Sequence, residues 1–494
     1  MAAESESLKS RVATTLKWNA VDKVASQVLY AVTGIILARL LSQEDFGLVG
    51  AMLVFQAFAS LFVDSGFSSA LIQRKEPTRR DYSTVLWFNI SLSVIIYIIL
   101  YFCAPLIAWC FDGDERLIPL SRVMFLSFII NATAIVQTNR LMKAMNVRPL
   151  AVINSAGLTV AAVVGIWLAV AGAGAWAIVW QTIALGLTKS VLLWLYTGWR
   201  PLWAFSWKIL RSFFKVGSGV MVSSFLNTLF TTIYSFFIGH FVGLVPLGYY
   251  TQSDKWSKMG IMSLSQVLTS SFLPALSRVQ DNPEEFKRVS TKMNRFTAYL
   301  VFPAMGMLAM VAAPVFHTLF ETKWDASIAM FQILLARGVF TIFQGLYNNY
   351  ILALGRARLI VVTEVVRDVV AVVAIFATLP FIGLTTPTNP VLGLEILLAG
   401  QLVASAVTWV VTLVITARLS GHTVLDYIIH IFPYAGMTAL AMAVMHVVSL
   451  IPMSAPLLMV SMAIAGLAVY MGLGAITGST IQRDILNRLL KFNP

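Results

Sequence analysis

Charged residues interrupt several apolar stretches of this 494-residue chain, and they are the side chains whose chemistry could carry a function. Lysine and arginine can bind an anionic group, whereas aspartate and glutamate can bind a proton or a cation. Each charge costs roughly 2.5 to 3.5 kcal/mol at the centre of a membrane helix, so we expect these residues to face a polar interior. The candidates are Asp22, Lys23, Lys255, Arg337, Glu364, Arg367 and Asp368.

Helical spacing indicates which of these charges have a partner nearby. Asp254 and Lys258 are four residues apart, which is a favourable spacing for an ion pair and leaves Lys255 as an unmatched cation. Asp22 and Lys23 are neighbours and project about 100° apart on a helix, so each needs a partner elsewhere.

A second group of charges lies further along the chain. Pairing Glu364 with Arg367 leaves Asp368 without a partner, and Arg337 has no acid within helical reach. Interhelical ion pairing is the structural alternative for all these charges, since five basic and four acidic interior residues leave only one net positive charge. Both interpretations stay open at this point.

Composition places the chain in a membrane. Hydrophobic residues make up 58% and charged residues 12%, with a mean hydropathy of +0.81, so there is too little polar surface for a soluble protein of this size. We predict an all-α integral membrane protein with fourteen spans. They lie near 16–41, 46–66, 84–110, 117–138, 150–171, 174–196, 213–241, 247–274, 296–320, 326–354, 359–382, 391–416, 430–449 and 455–478.

The basic residues predict the orientation. With the amino terminus in the cytoplasm, 26 of the 35 Lys and Arg residues fall on the cytoplasmic side, and only Arg39, Arg116, Arg122 and Lys323 fall opposite. Both termini are therefore predicted to be cytoplasmic, with no cleavable signal. The net charge of +13 is explained by topology and anionic lipid, so we expect no nucleic-acid partner.

Two halves of the chain repeat the same short patterns. Ala104-Pro105 with Phe111 returns as Ala313-Pro314 with Phe320, 209 positions later. Such duplication predicts two six-helix lobes as parallel internal repeats, with a binding site between them and two extra C-terminal helices. The predicted boundaries are 1–196 for the N-lobe, 197–212 for a cytoplasmic linker, 213–416 for the C-lobe, and 417–494 for spans thirteen and fourteen with a cytoplasmic tail.

Several strings resemble one known family, the lipid-linked oligosaccharide flippases and polysaccharide exporters of the multidrug/oligosaccharidyl-lipid/polysaccharide exporter superfamily. The resemblance is greatest to its colanic-acid-exporter-like branch. The strings are Ala38-Arg39-Leu40-Leu41, Phe46-Gly47-Leu48, Asp64-Ser65-Gly66-Phe67, Ala70-Leu71-Ile72-Gln73-Arg74-Lys75-Glu76, Leu273-Pro274-Ala275-Leu276-Ser277-Arg278 and Phe320-Glu321-Thr322-Lys323-Trp324.

This resemblance implies a bacterial inner-membrane flippase that is not an enzyme. It would carry an undecaprenyl-pyrophosphate-linked glycan between leaflets, driven by a proton or sodium gradient and without a cofactor or metal. Further partners would be membrane lipids, a polysaccharide polymerase and chain-length machinery. On this basis Lys23, Lys255, Arg337 and Arg367 are candidates for the pyrophosphate, since a guanidinium forms a planar fork of donors. Asp22, Glu364 and Asp368 are candidates for the coupling ion.

Two other functions remain alternatives. A multidrug exporter of the same superfamily would have twelve spans and a more apolar cavity. A membrane polysaccharide polymerase or ligase would place its catalytic groups on large periplasmic loops, whereas the most polar such loop here, around 112–116, has only a few residues.

Overall fold

The computed structural model describes residues 2–64, 71, 74–387 and 389–490, and these form α-helices joined by short connections. Part of the sequence strings that resemble the exporter family, at 65–70 and 72–73, lies outside the described residues. The helices are α1 Ala2–Leu40, α2 Gln43–Asp64, α3 Arg79–Cys110, α4 Leu117–Met124, α5 Leu126–Lys143, α6 Arg148–Val170, α7 Trp176–Thr197, α8 Trp207–Phe241, α9 Leu244–Ser277, α10 Pro283–Met310, α11 Ala312–Leu319, α12 Ala326–Ala353, α13 Ala357–Thr378, α14 Leu392–Ser420, α15 Val424–Ser449, α16 Ala455–Ile476 and α17 Thr480–Leu490.

Ten segments within the described ranges are long and apolar enough to cross a membrane. An eleventh is formed if α10 and α11, which meet at a 58° bend, count as one span. The prediction of an all-α protein with many membrane spans is confirmed, whereas the predicted number of fourteen spans stays a prediction. The remaining long helices include α9 and α13, whose apolar stretches are interrupted by the interior charges described above.

The chain forms two compact units, Met1–Gly248 and Tyr249–Pro494. In the first unit α6 packs on α7 and α1, α5 packs on α3 and α7, and α8 packs on α2. Small residues permit these close contacts: a Cβ added to Gly165 of α6 would lie 3.1 Å from Gln181 of α7. The first compact unit includes α8 because α8 packs on α2, so this unit ends later in the chain than the predicted N-lobe. The predicted lobe boundary follows the sequence repeat instead, and it stays a prediction.

The second unit contains pairs of packed helices around buried tyrosines. Helix α12 packs on α14, α10 packs on α15, and α15 packs on α16. The hydroxyl of Tyr347 donates to Asn294, whose amide donates to the carbonyl of Tyr427, and the Tyr350 hydroxyl donates to the carbonyl of Ser290. These bonds satisfy polar groups that would otherwise be costly inside the unit.

Helix ends follow local sequence rules. Thr78 and Asp81 form a capping box at the start of α3, and Thr423 and Asp426 form another at the start of α15. Gly198 ends α7 in the left-handed conformation, with φ +55°, and leads into the short connection before α8.

The predicted repeat motifs occupy equivalent local positions. Phe111 is the C-cap residue of α3 and Phe320 is that of α11, and both rings are buried. The next residue, Asp112 or Glu321, has a positive φ in each case, 56° and 70°. Positive φ is uncommon outside glycine, so its recurrence 209 positions apart supports an internal repeat at this motif.

Candidate functional site

Two cavities that contain several polar side chains lie in the first unit, and we call them the Lys189 cavities because Lys189 lines both. The larger, ≈390 Å³, is bounded by α1, α5, α6 and α7, and the smaller, ≈350 Å³, by α2, α5 and α7. Thr138 and Leu193 are also shared between them. A run of polar side chains therefore extends through a unit whose helices are otherwise mostly apolar.

Asp22 lines the larger cavity and is held by neutral donors. Its carboxylate accepts hydrogen bonds from the Asn154 amide at 2.9 Å and from the Ser26 hydroxyl at 3.4 Å, and Asn154 also contacts Ser26 at 2.9 Å. No ion pair within 4 Å joins Asp22 to any described residue, and the neighbouring Lys23 side chain is exposed. The carboxylate is thus oriented without direct neutralisation, which suits it to bind a proton or a small cation.

Lys189 is a site residue that was not among the candidates predicted from the sequence. It lies within α7, eight positions before the helix ends at Thr197. Its aliphatic stem packs against Gly157 of α6, where an added Cβ would be 2.8 Å from Lys189 Cγ. Thr182, Lys189 and Ser190 recur at helical spacing on α7, and this polar stripe is the signal that could have identified the residue.

Amide side chains also line the cavities. Asn19 lines the larger cavity, and Gln56, Asn131 and Asn139 line the smaller one. Amides and hydroxyls can both donate and accept hydrogen bonds, as the hydroxyl groups of a sugar do. The same groups also hold membrane helices together, so their presence by itself does not identify a ligand.

Among the candidate cations predicted for the interior of the second unit, Lys255 and Arg337 have no carboxylate within 4 Å among the described residues, whereas Arg367 does. Asp254 and Lys258 form the predicted ion pair at 2.6 Å, which leaves Lys255 exposed on α9 with its ammonium 5.4 Å from the Trp256 ring centroid. Arg337 is half-buried on α12. Both charges remain available to an anion.

Arg367, Glu364 and Asp368 form one cluster on α13. The Arg367 guanidinium contacts Glu364 at 2.5 Å and Asp368 at 3.0 Å. The prediction that Asp368 is left without a partner is therefore wrong, because the long arginine side chain reaches an acid on the adjacent residue as well as one three residues away. Two carboxylates neutralise this guanidinium, so Arg367 is less available to an anion than Arg337.

The structure brings only part of the predicted site together. Arg367, Glu364 and Asp368 are in contact, whereas Asp22 is grouped instead with Asn154, Ser26 and the cavity that Lys189 lines. Across the described ranges, no group of three or more His, Cys, Asp and Glu residues could hold a metal ion. Cys103 and Cys110 are free thiols.

Residues 36–329, more than half of the chain, match the protein family described as "Polysaccharide biosynthesis protein". Three curated relatives cover about two thirds or more of both sequences. The chain is 24% identical to the teichuronic acid biosynthesis protein TuaB of Bacillus subtilis (strain 168), over 72% of this chain and 73% of TuaB. It is 25% identical to the lipopolysaccharide biosynthesis protein WzxC of Escherichia coli (strain K12), over 67% and 68%. It is 24% identical to the succinoglycan biosynthesis transport protein ExoT of Rhizobium meliloti (strain 1021), over 67% of each.

Solved structures show the same fold. The lipid II flippase MurJ in an inward closed conformation matches with a TM-score of 0.74 at 13% identity, over 94% of this chain and 99% of MurJ. An inward-facing multidrug resistance MATE family transporter of the MOP superfamily matches with a TM-score of 0.62 at 17% identity, over 81% and 99%. At these identities the likeness extends to the fold alone.

Proposed function

Because this chain belongs to the polysaccharide biosynthesis protein family, we propose that it is a flippase for undecaprenyl-pyrophosphate-linked oligosaccharide repeat units. It moves them from the cytoplasmic to the periplasmic leaflet of the bacterial inner membrane, for lipopolysaccharide or exopolysaccharide synthesis. The chain is a multi-pass membrane protein and not an enzyme. Relatives named for lipopolysaccharide biosynthesis and succinoglycan transport support this substrate class.

The Lys189 cavities are the observation that carries the proposal. A hydrated sugar-pyrophosphate cannot cross ~30 Å of hydrocarbon unaided, so a flippase must provide polar groups within an apolar bundle. The cavities contain a lysine, a carboxylate and several amides inside α1, α2, α5, α6 and α7. A purely structural membrane protein gains nothing from charges placed there at this energetic cost.

We assign the roles as follows. Lys255 and Arg337 are the best-supported pyrophosphate ligands, because neither has a carboxylate partner among the described residues. Lys23 and Arg367 remain candidates. Asp22 is the best-supported site for the coupling proton or sodium ion, ahead of Glu364 and Asp368, which already contact Arg367. The fourteen spans, the parallel lobes and the passage between them remain part of this proposal.

Ion coupling is tested with the purified chain in proteoliposomes that contain a fluorescent polyprenyl-pyrophosphate glycan. We expect a proton or sodium gradient to accelerate its movement between leaflets, as read by quenching from outside. Asp22→Asn keeps the shape of the side chain and removes the charge, and should abolish the acceleration. The matched control is Glu284→Gln, on the exposed first turn of α10. Gradient-driven movement of small organic cations without glycolipid movement would indicate the multidrug alternative and refute the proposal.

Substrate binding is tested in cells by replacing each unpaired cation. Arg337→Ala and Lys255→Ala, inserted at normal levels, should each block the appearance of lipid-linked glycan in the periplasmic leaflet. Arg418→Ala is the control for the loss of an exposed arginine. Normal export by both variants would remove this assignment of the pyrophosphate ligands while leaving the flippase function itself intact.

A further inference from the structure

Two clefts lie at the end of the first unit where α3 begins and where α5 and α7 end. We call this the linker end. The first cleft, ≈570 Å³, is lined by Trp87, Trp194, Trp203 and Trp199. The second cleft, ≈510 Å³, is lined by other residues, among them Arg140. The buried Trp199 ring joins the clefts, because it also lies 5.4 Å from the Arg140 guanidinium carbon of the second cleft.

Arg140 has an unsatisfied donor at this position. Its guanidinium lies over the rings of Tyr82 and Trp199, and its Nη1 atom is buried without a hydrogen-bond partner among the described residues. The nearby acid Asp81 is already paired with Arg74 at 3.1 Å and bonded to the α3 cap. A buried guanidinium nitrogen without an acceptor is costly, so an anionic acceptor is the missing partner.

A second cation adds to the positive charge of the same cleft. Lys143, in the last turn of α5, lines it together with Arg140 and donates to the carbonyl of Arg74. The Lys143 ammonium thereby places a second positive charge in the cleft that Arg140 lines. A guanidinium and an ammonium in one cleft suit a phosphate or pyrophosphate group.

The first cleft presents a rigid aromatic surface. Trp203 stacks on Trp87 with ring centroids 4.5 Å apart, although the Trp203 side chain is 90% exposed. The connection that carries Trp203 is held in place: Leu202 accepts from Trp87 Nε1 at 2.8 Å and donates to Ser83 Oγ at 2.9 Å. The Arg79 guanidinium donates to the carbonyl of Arg200 at 2.8 Å. An exposed ring held this firmly can pack against the C–H face of a sugar.

We propose that the joined clefts form a headgroup site that holds the sugar-pyrophosphate of a lipid-linked glycan at the linker end. The pyrophosphate binds Arg140 and Lys143, and the first sugar packs on Trp203. This inference rests on the proposed function and adds to it an entry site, on the face that the positive-inside pattern predicts to be cytoplasmic. A bulk anionic phospholipid would satisfy Arg140 without using the tryptophan surface.

Binding to the purified chain in lipid nanodiscs tests the site, with three probes: undecaprenyl pyrophosphate, undecaprenyl pyrophosphate carrying one hexose, and phosphatidylglycerol. We expect Arg140→Gln to weaken both pyrophosphate probes about tenfold or more, because a charge-assisted bond is lost. Trp203→Ala should weaken only the hexose-bearing probe. Trp203→Ala should leave the weak binding of phosphatidylglycerol unchanged, because that lipid does not use the tryptophan surface.

Matched controls come from the same unit. Arg122→Gln removes a guanidinium that lies 4.2 Å from the Tyr101 ring outside the clefts, and Trp207→Ala removes an exposed tryptophan that does not line them. If Arg140→Gln fails to fold, Trp203→Ala and Arg200→Gln still test the site, because both residues line the first cleft and both are exposed.

Three outcomes would overturn the headgroup site. Variants that match their controls refute it, as does equal weakening of all probes by Trp203→Ala or phosphatidylglycerol binding as tight as the pyrophosphates. Each of these three outcomes rejects this site alone and leaves the proposed function intact. If the wild type binds neither polyprenyl probe, the proposed function fails as well.

Discussion

Gly47 of α2 lies directly against the main-chain carbonyl of Leu244, at the start of α9. A Cβ added to Gly47 would be 1.9 Å from the Leu244 oxygen. The same contact occurs in reverse, because a Cβ on Gly248 would be 1.9 Å from the carbonyl oxygen of Gln43. Gly248 lies 201 positions after Gly47, and Leu244 lies 201 positions after Gln43. Each glycine therefore contacts the carbonyl that precedes the other glycine, as expected of two copies of an internal repeat.

Gly47→Ala should destabilise the first unit, since the backbone carbonyl of Leu244 cannot move aside as a flexible side chain would. Overpacking typically costs about 1–3 kcal/mol, and we expect the apparent melting temperature in detergent to fall accordingly. The control is Gly345→Ala in α12, where an added Cβ meets nothing within 4 Å. Equal melting temperatures for the two variants would contradict the contact.

Arg367→Met should be destabilising because it leaves Glu364 and Asp368 together without their shared cation. Removing one partner of a fully buried ion pair costs roughly 3 kcal/mol or more, and we expect a smaller cost here because Arg367 and Glu364 are partly exposed. Restoring neutrality with Glu364→Gln and Asp368→Asn in the same chain should recover the melting temperature. A triple variant that is stable and transports normally would show that the cluster is structural, whereas one that is stable and inactive would support a role in ion coupling.

Arg116→Gln should lower stability at neutral pH but not in strong acid. Hydrogen bonds from Arg116 hold the pKa of Asp114 below its ordinary value, and the same guanidinium contacts Glu44. A lowered pKa means that the carboxylate contributes stability above its unfolded pKa, near 3.9, and loses it as pH falls through the folded value. The pair is surface-exposed, so we expect about 1 kcal/mol or less.

Melting temperatures of wild type and Arg116→Gln, measured between pH 7 and pH 3, check this expectation. Their difference should shrink below about pH 4, where the unfolded-state carboxylate takes up its proton. Arg122→Gln serves as the comparison, since its guanidinium lies over Tyr101 and donates to a carbonyl of that residue. If the difference in melting temperature between wild type and Arg116→Gln stays constant down to pH 3, the ion pair does not stabilise the fold.

Protonation of His422 should destabilise the second unit in mild acid. Burial lowers the pKa of His422, which lies between α14 and α15. The folded state therefore resists a proton that the unfolded state accepts, so stability is constant above about pH 6.5 and falls as pH drops from there through the folded pKa. The groups facing the ring are Ser290, Thr291, the carbonyl and ammonium of Lys287, Asp426 and Tyr427.

The measurement compares wild type with His422→Gln between pH 8 and pH 5. Glutamine cannot take up a proton, so the variant should lose less melting temperature than wild type across this range. The other histidines are present in both chains. Parallel curves for the two proteins would show that His422 does not titrate differently on folding.

Most of the fold class could be predicted from the sequence, because membrane helices satisfy their own backbone hydrogen bonds and leave a local signal in composition. The same holds for the Asp254–Lys258 pair, the capping boxes and the free cysteines, which depend on residues a few positions apart. The charges of α9 and α13 were identified for the same reason. They also interrupt the apolar stretches of those helices, which is why the number of spans is harder to establish.

Contacts between distant residues required the tertiary structure. Asp22 meets Asn154 across 132 positions, and Lys189 enters the cavities because Gly157 of a neighbouring helix leaves room for its stem. No local pattern encodes which faces of α1, α6 and α7 pack together, since lipid-facing and helix-facing apolar residues look alike in a sequence. The sequence by itself determined that interior charges exist, and only helix packing decided which of them are oriented, neutralised or left available.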